Sequence, residues 1–407
     1  MNTRHYAWLL VALLWLVGFL NYIDRQVIFS LFPLIETEFH LSGAELGFLN
    51  TVFLWIYGLA SPFAGYLADR FGRVRVILVS LVIWSLITWA TGHARSYGEL
   101  IATRALMGLS EACYLPAALA LIADHHSGKT RSLATGLHQS GIYFGIVIGG
   151  VGGGWMGEHY GWRSPFTVLG IAGVAYFAIL FWGLRGSAKP TATGGALNLP
   201  ASVRSLSALP GFWSLTCVFS AVGLCNFLVY TWLPMYLYER FQMSLTSAGF
   251  SATFYIQAAS FVGIFVGGIA ADRLGSRFAK GRIWVQMAGL AAAAPFLFLI
   301  GMAGSQALLI AGLLVFGLGR GMFDSNAMPV LCQIAPPQLR STGFGIFNMV
   351  SCIIGGIAAA AAGFLKQTLG LGFAFQLAAF ILIAAALLLS TVKPQAGEGE
   401  PRQDLVK

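Results

Sequence analysis

Six ionisable side chains lie inside stretches that are otherwise apolar: Asp24 and Arg25, Arg104 and Glu111, and Arg320 and Asp324. A charge at the centre of a bilayer costs about 2.5–3.5 kcal/mol on insertion scales, so such groups persist where they face a cavity or one another. With three of each sign the set is neutral, as mutually compensated groups must be. Arg104 and Glu111 are seven apart, two helical turns, and so share one face about 10 Å apart. Counted from the middle of each apolar stretch, Arg25 and Arg104 fall at similar depth and Glu111 nearer the centre. Two guanidinium groups beside a carboxylate form a site for an anionic group, because arginine meets carboxylate or phosphate in a planar, two-point contact. Desolvation favours the neutral form of Glu111 and the arginines its charged form, so opening and closing a cavity around it is expected to move a proton. The alternative for these groups is an internal salt bridge that only orients helices. Arg320 and Asp324, four apart, are spaced to pair with each other.

Other polar and aromatic residues on the same stretches are weaker candidates for lining a substrate cavity. They are Tyr114, three after Glu111, with Gln139, Tyr143, Asn226, Tyr230 and Asn348. His138 reads as a helix-contact histidine before a proton relay, and His125 and His126 as solvated loop residues. The five cysteines sit in apolar stretches with no Cys-x-x-Cys pair, and no metal-ligand cluster is visible. No Gly-x-x-x-x-Gly-Lys-Ser/Thr loop is present, so the expectation is no cofactor, no ATP-driven step and no enzyme activity.

The elements that carry these residues follow from composition. Of 407 residues, 57% are hydrophobic and only 10% charged, against roughly 25% charged in a soluble domain. Since about 20 apolar residues cross a bilayer, the chain reads as an all-α polytopic membrane protein with 12 transmembrane helices. The spans fall near 7–33, 44–67, 75–92, 98–122, 132–156, 165–184, 212–234, 246–270, 283–302, 307–331, 342–365 and 371–392. The first apolar run continues past its first twenty residues without a small-residue cleavage site, and reads as a retained span. The net charge of +9 is unevenly spread. With the N-terminus inside, 17 Lys and Arg fall in cytoplasmic segments and 4 (Arg95, Arg163, Arg240, Lys366) outside. That bias places both termini in the cytoplasm and makes the surplus charge a matter of topology, with no nucleic-acid partner implied.

The longest polar stretch, Arg185 to Pro210, separates six spans from six. The expected organisation is an N-terminal six-helix bundle (1–184), a cytoplasmic linker (185–210), a C-terminal six-helix bundle (211–392) and a cytoplasmic tail (393–407). The two bundles are expected to be pseudo-symmetric, because GYLADRFGRVRV (65–76) is echoed by GGIAADRLGSR (267–277), with Asp69 and Asp272 203 residues apart. GLSEA and TRSLATGL of the first half recur 209 residues on as GLGRG and LRSTGFGI. Parallel six-span repeats describe a secondary transporter. The loop charges Asp69, Arg70 and Arg73, and Asp272 with Arg273 in the second half, are placed to form a latch at that end of the helices. Span 5 carries Gly141, Gly145, Gly149, Gly150, Gly152, Gly153 and Gly154. Such spacing lets helices approach closely and is expected to form the interface between halves.

GYLADRFGRVRV and its weaker copy resemble the loop signature of the major facilitator superfamily, and the resemblance covers 7–392. It implies a rocker-switch transporter working by alternating access, with a central cavity lined by spans 1, 4, 7 and 10, and by analogy a monomer. NYIDRQVI, followed by Arg104 and Glu111, is similar to the anion:cation symporters, the proton-coupled organic-anion carriers. That resemblance implies Arg25 as the substrate-anion contact, Asp24 and Glu111 as the proton-coupling residues, and Arg104 as the control on Glu111. GLSEACYLP departs from the Gly-Glu-Ala-Gly-Asn of that branch. Its Glu-Ala-Cys-Tyr is closer to the spinster-like lysolipid transporters, while GWRSPF (161–166) and TRSLATG (130–136) lean back to the first. The expectation is therefore a proton-coupled symporter of a small organic anion, a sugar acid or other carboxylate. The alternative is a spinster-like lysophospholipid or amphiphile transporter. The short loops and charge bias suggest the cell inner (plasma) membrane.

Overall fold

A computed structural model describes residues 3–126, 130–185, 199–336 and 339–392, all of them helix or short connection, with no strand among them. The first half runs α1 (Thr3–Ser30), α2 (Phe32–Phe39), α3 (Gly43–Phe71), α4 (Arg73–Thr91), α5 (Tyr97–Glu111), α6 (Tyr114–His125), α7 (Arg131–Tyr160) and α8 (Arg163–Gly183). After the short α9 (Leu199–Ser207) come α10 (Phe212–Phe241), α11 (Leu245–Gly275), α12 (Gly281–Met302), α13 (Gln306–Cys332), α14 (Arg340–Thr368) and α15 (Leu371–Ser390).

Eleven segments are long and apolar enough to cross a membrane, α5 and α6 together forming one of them. The remaining expected span is α7, 30 residues long, whose glycines lower its hydropathy without breaking the helix. Local chemistry starts these helices where the sequence offers caps. Ser42 and Glu45 form a reciprocal capping box on α3, while Ser96 and Ser305 each accept a backbone N–H at the start of α5 and α13. Large side chains such as Phe63, Phe144, Trp182 and Leu387 stand about half to two-thirds exposed. That surface suits hydrocarbon, where the hydrogen bonds of the backbone are already closed within each helix.

Contacts divide the chain into two compact units. One comprises Met1–Leu197, Asn226–Phe254 and Cys352–Leu371; the other comprises Asn198–Cys225, Tyr255–Ser351 and Gly372–Lys407. In the first unit α1 lies chiefly on α7 and α4 on α8, and in the second α12 lies on α13. The α1–α7 contact corrects the expectation for the glycines of span 5. Gly141, Gly145, Gly149 and Gly153 recur every fourth residue and face α1, where a Cβ on Gly145 would stand 2.5 Å from the Phe19 carbonyl oxygen. This part of the stripe therefore packs inside the first half. Gly150 and Gly154 face the other way, toward Gly249 and Leu245 of α11. The core of the first unit is a continuous cluster including Leu10, Leu14, Leu81, Trp84, Tyr114 and Leu180, each 1% exposed or less.

Candidate functional site

The site charges are carried by α1 and α5. Glu111 is fully buried and accepts a hydrogen bond from Nε of Arg25 at 2.5 Å. No other hydrogen bond or ion pair to Arg25 is made among the described residues. Its guanidinium lies over three aromatic rings, 4.3 Å from the centroid of Tyr57, 4.9 Å from Tyr22 and 5.1 Å from Phe53. Each such contact is worth about 0.5–2 kcal/mol depending on desolvation. Tyr22 is one turn before Arg25 on α1, whereas Phe53 and Tyr57 come from α3 (Gly43–Phe71). Gly108 brings α3 close to α5, the helix that ends at Glu111, since a Cβ there would stand 2.6 Å from the Phe53 carbonyl oxygen. The helix α5 ends at Glu111 itself. Pro116 lacks the N–H that would bond the Ala112 carbonyl, so the span bends at Ala112 and Cys113 before α6 begins.

Asp24, 3% exposed, accepts a hydrogen bond from the Thr88 hydroxyl of α4 at 3.2 Å. Arg104, 2% exposed, is close enough to both Glu111 and Asp24 to interact with them electrostatically. Its Nε and Nη2 have no hydrogen-bond partner among the described residues, and neither do Asp24 Oδ1 and Glu111 Oε1. Buried polar groups are ordinarily paired, and these four atoms depart from that rule. Unpaired guanidinium donors suit an anion, and unpaired carboxylate oxygens suit protons. The four first-half charges named from sequence thus come together.

The remaining candidates scatter. Tyr114 is 1% exposed within the core of the first unit. It donates to the Leu14 carbonyl at 2.7 Å and meets His138 Nε2 at 2.8 Å. Both Tyr114 and His138 are therefore committed to helix packing, with His138 Nδ1 lacking a partner among the described residues. Gln139 and Tyr143 are half-buried on α7, with Gln139 Oε1 lacking a partner among the described residues. Tyr230 approaches Tyr22 closely enough to interact with it, and Asn226 is half-buried one turn earlier on α10. Asn348 belongs to the other unit, as do Arg320 and Asp324. The last two pair with each other on α13, Nε to Oδ2 at 3.3 Å.

Of the latch residues, the side chain of Asp69 lies outside the described residues. Arg70 lies over the Phe71 ring at 5.6 Å. Arg73 pairs with Asp124 of α6 and donates to the Ala120 carbonyl. In the second half Asp272 pairs with Arg282 at 2.7 Å, while Arg273 is exposed. His126 is not solvated as expected: it is 3% exposed, with Nε2 3.1 Å from the Ala7 carbonyl and its ring against Trp8.

Sequence reasoning missed Tyr22, Phe53, Tyr57 and Thr88. The i, i+4 spacing of Phe53 and Tyr57 was the available signal, but aromatics at that spacing usually mark ordinary packing. Also missed was a charge cluster elsewhere in the first unit, where Lys366 of α14 lies 2.6 Å from Glu36 of α2 and 3.1 Å from Glu239 of α10.

The model of the Major Facilitator Superfamily matches residues 14–360, and again 278–405. The chain belongs to the major facilitator superfamily. It is 29% identical over 296 residues to the probable galactarate/D-glucarate transporter GudP of Bacillus subtilis, a match covering 66% of this chain and 65% of that one. To an MFS-type efflux pump of Mycolicibacterium smegmatis it is 26% identical, over 98% of this chain and 95% of that one. To protein spinster homolog 1 of Bos taurus it is 27% identical, over 87% and 72%. The fold is shared with the crystal structure of a bacterial homolog to the human lysosomal transporter spinster, inward-facing and unoccupied. That likeness has a TM-score of 0.78 and 22% identity over 95% of both chains. This member of the superfamily is thus a multi-pass membrane transporter with anion transporters and spinster homologues among its relatives.

Proposed function

We propose that this major facilitator is a proton-coupled symporter of a small organic anion, a sugar acid or other carboxylate. The observation that carries the reading is the Arg25–Glu111 bond, in which the carboxylate is fully buried. A carboxylate of the protein already occupies the arginine that would take a substrate carboxylate. Protonating Glu111 removes its charge and releases Arg25 to the substrate anion; deprotonation restores the pair and expels it. One group thus makes proton and anion travel together. Among the described residues Arg104 has two donors and Asp24 one oxygen without a hydrogen-bond partner; Arg104 controls the charge of Glu111 and Asp24 is the second proton carrier. The relative from Bacillus subtilis, by its name a galactarate/D-glucarate transporter, supports a dicarboxylated sugar as the class to try first.

The setting completes the reading. Two six-span halves rock about the site, with Asp69, Arg70 and Arg73 and their second-half counterparts Asp272 and Arg273 latching the loop ends. Gln139, Tyr143, Asn226 and Tyr230 line the path, and both termini face the cytoplasm from an inner membrane. The protein works as a monomer.

Uptake by purified protein in liposomes tests this. D-glucarate should accumulate against its gradient when the outside is made acidic, and accumulation should fail in Arg25→Ala. A second reading, transport of a lysophospholipid through the same arginines, is favoured by the likeness to the bovine spinster homolog and by Glu-Ala-Cys-Tyr at 111–114. Thermal stabilisation by lysophosphatidylcholine but by no carboxylate would select it.

A further inference from the structure

The rings around Arg25 are fixed independently of it. Phe53 and Tyr57 stack 5.9 Å apart with planes within 14°, are 5% and 7% exposed, and are locked by the close approach of Gly108. Cys352, Met107 and Leu54 complete their packing. A carboxylate holds a guanidinium only while it is charged and in place. A ring face attracts the positive charge whichever acceptor is present. Arginine has a long, rotamer-rich side chain, and without a partner it would swing out of line for the next one.

We propose that Tyr57, with Phe53 and Tyr22, are positioning residues that hold the Arg25 guanidinium in place while its acceptor changes from Glu111 to a substrate carboxylate. The inference rests on reading Arg25 as the anion contact. The rings make the exchange a replacement of one oxygen acceptor by another at a fixed donor, with no search by the arginine. Tyr22 and Phe53 lie on different helices, so the hold comes from α1 and α3 together.

Two readouts on the full-length protein test it, one needing no substrate. The first is the rate at which phenylglyoxal modifies Arg25 in the apo protein, read by mass spectrometry with Arg163 of the same molecule as internal control. The second is the KM and kcat for D-glucarate in proteoliposomes. Tyr57→Leu should raise the Arg25 modification rate roughly threefold to tenfold, as expected for losing one ring face, and leave Arg163 unchanged. It should raise KM by a similar factor with less effect on kcat. Tyr57→Phe, which keeps the face, should restore both. Tyr22→Leu, at a half-buried position, serves as the second variant if Tyr57→Leu does not fold. An Arg25 rate unchanged in the leucine variants would overturn the proposal, as would Tyr57→Phe behaving like Tyr57→Leu. If the unaltered protein ignores D-glucarate, the choice of substrate fails, and the modification rates still decide whether the rings position Arg25.

Discussion

Arg25 and Glu111 are separated by 86 residues and meet at 2.5 Å, with the carboxylate fully buried and the arginine 16% exposed. Pairs of this kind are costly to break from one side, because the remaining charge stays buried. They are also poor permanent fixtures, since an equally buried hydrophobic contact would be at least as stable. A pair that exchanges partners during a cycle accounts for both properties.

The first prediction concerns coupling. Glu111→Gln keeps an acceptor for Arg25 and removes the titrating group. The variant should lose uphill uptake driven by a pH gradient while keeping exchange of internal for external substrate. Uphill uptake at the original level would remove Glu111 from the coupling step.

The second concerns stability. Arg25→Ala alone should destabilise by about 3–5 kcal/mol as Glu111 is left without its partner. Arg25→Ala with Glu111→Ala together should cost less than the sum of the single changes. A thermal-unfolding double-mutant cycle measures the difference, and strict additivity would mean that the two side chains do not interact in the membrane-embedded protein.

Glycines on α7 give a third test with opposite signs. Gly154→Ala should destabilise by about 1–3 kcal/mol, because its Cβ would stand 2.3 Å from the Leu245 carbonyl oxygen. Gly136 has nothing within 4 Å of the same position. Gly136→Ala should therefore be neutral or stabilising by about 0.5–1 kcal/mol through helix propensity. Equal effects at the two sites would show that close approach is not what selects glycine there.

Lys366, between Glu36 and Glu239, ties α14 to α2 and α10, with the Asn50–Thr231 hydrogen bond at 2.6 Å in the same unit. The proposed alternating-access cycle would separate these contacts between first-half and second-half helices. Cysteines at Glu36 and Lys366 bridged by a thiol-reactive linker through reducible disulfides should stop transport, and a reductant should restore it. Full activity in the cross-linked protein would mean that this end of the helices never opens.

Glu38, in the connection between the first two spans, supplies a pH test. Partial burial pushes its carboxyl upward, but hydrogen bonds from Trp162 and Arg163 outweigh that and hold it below its ordinary value. A lowered native value contributes stability that is complete above the unfolded value and disappears as pH falls through the native one. Both side chains are well exposed, so the gain is a few tenths of a kcal/mol at most. Glu38→Gln should lower the Tm slightly at neutral pH and leave it unchanged in acid. A Tm gap that widened on acidification would contradict the assignment.

Much of this protein was determined by its sequence alone. Its apolar content and low share of charge demand a bilayer, and the cost of burying charge singles out Asp24, Arg25, Arg104 and Glu111 without any coordinates. Repetition of the loop motif pointed to the family in the same way, since a motif is local and survives in the chain order. Tertiary structure decided which group meets which: Arg25 takes Glu111, Asp24 takes Thr88, and Arg104 lies near both carboxylates. It also decided that Tyr114 joins the core and that Gly141, Gly145, Gly149 and Gly153 serve α1. The reason is geometric. Helical periodicity states which residues share a face, but the rotation of each helix about its axis, and hence what that face meets, is set by packing against its neighbours. The aromatic rings around Arg25 were illegible for the same reason, because the cation and two of the rings come from different helices, α1 and α3, and α3 is itself placed by packing on α5 at Gly108.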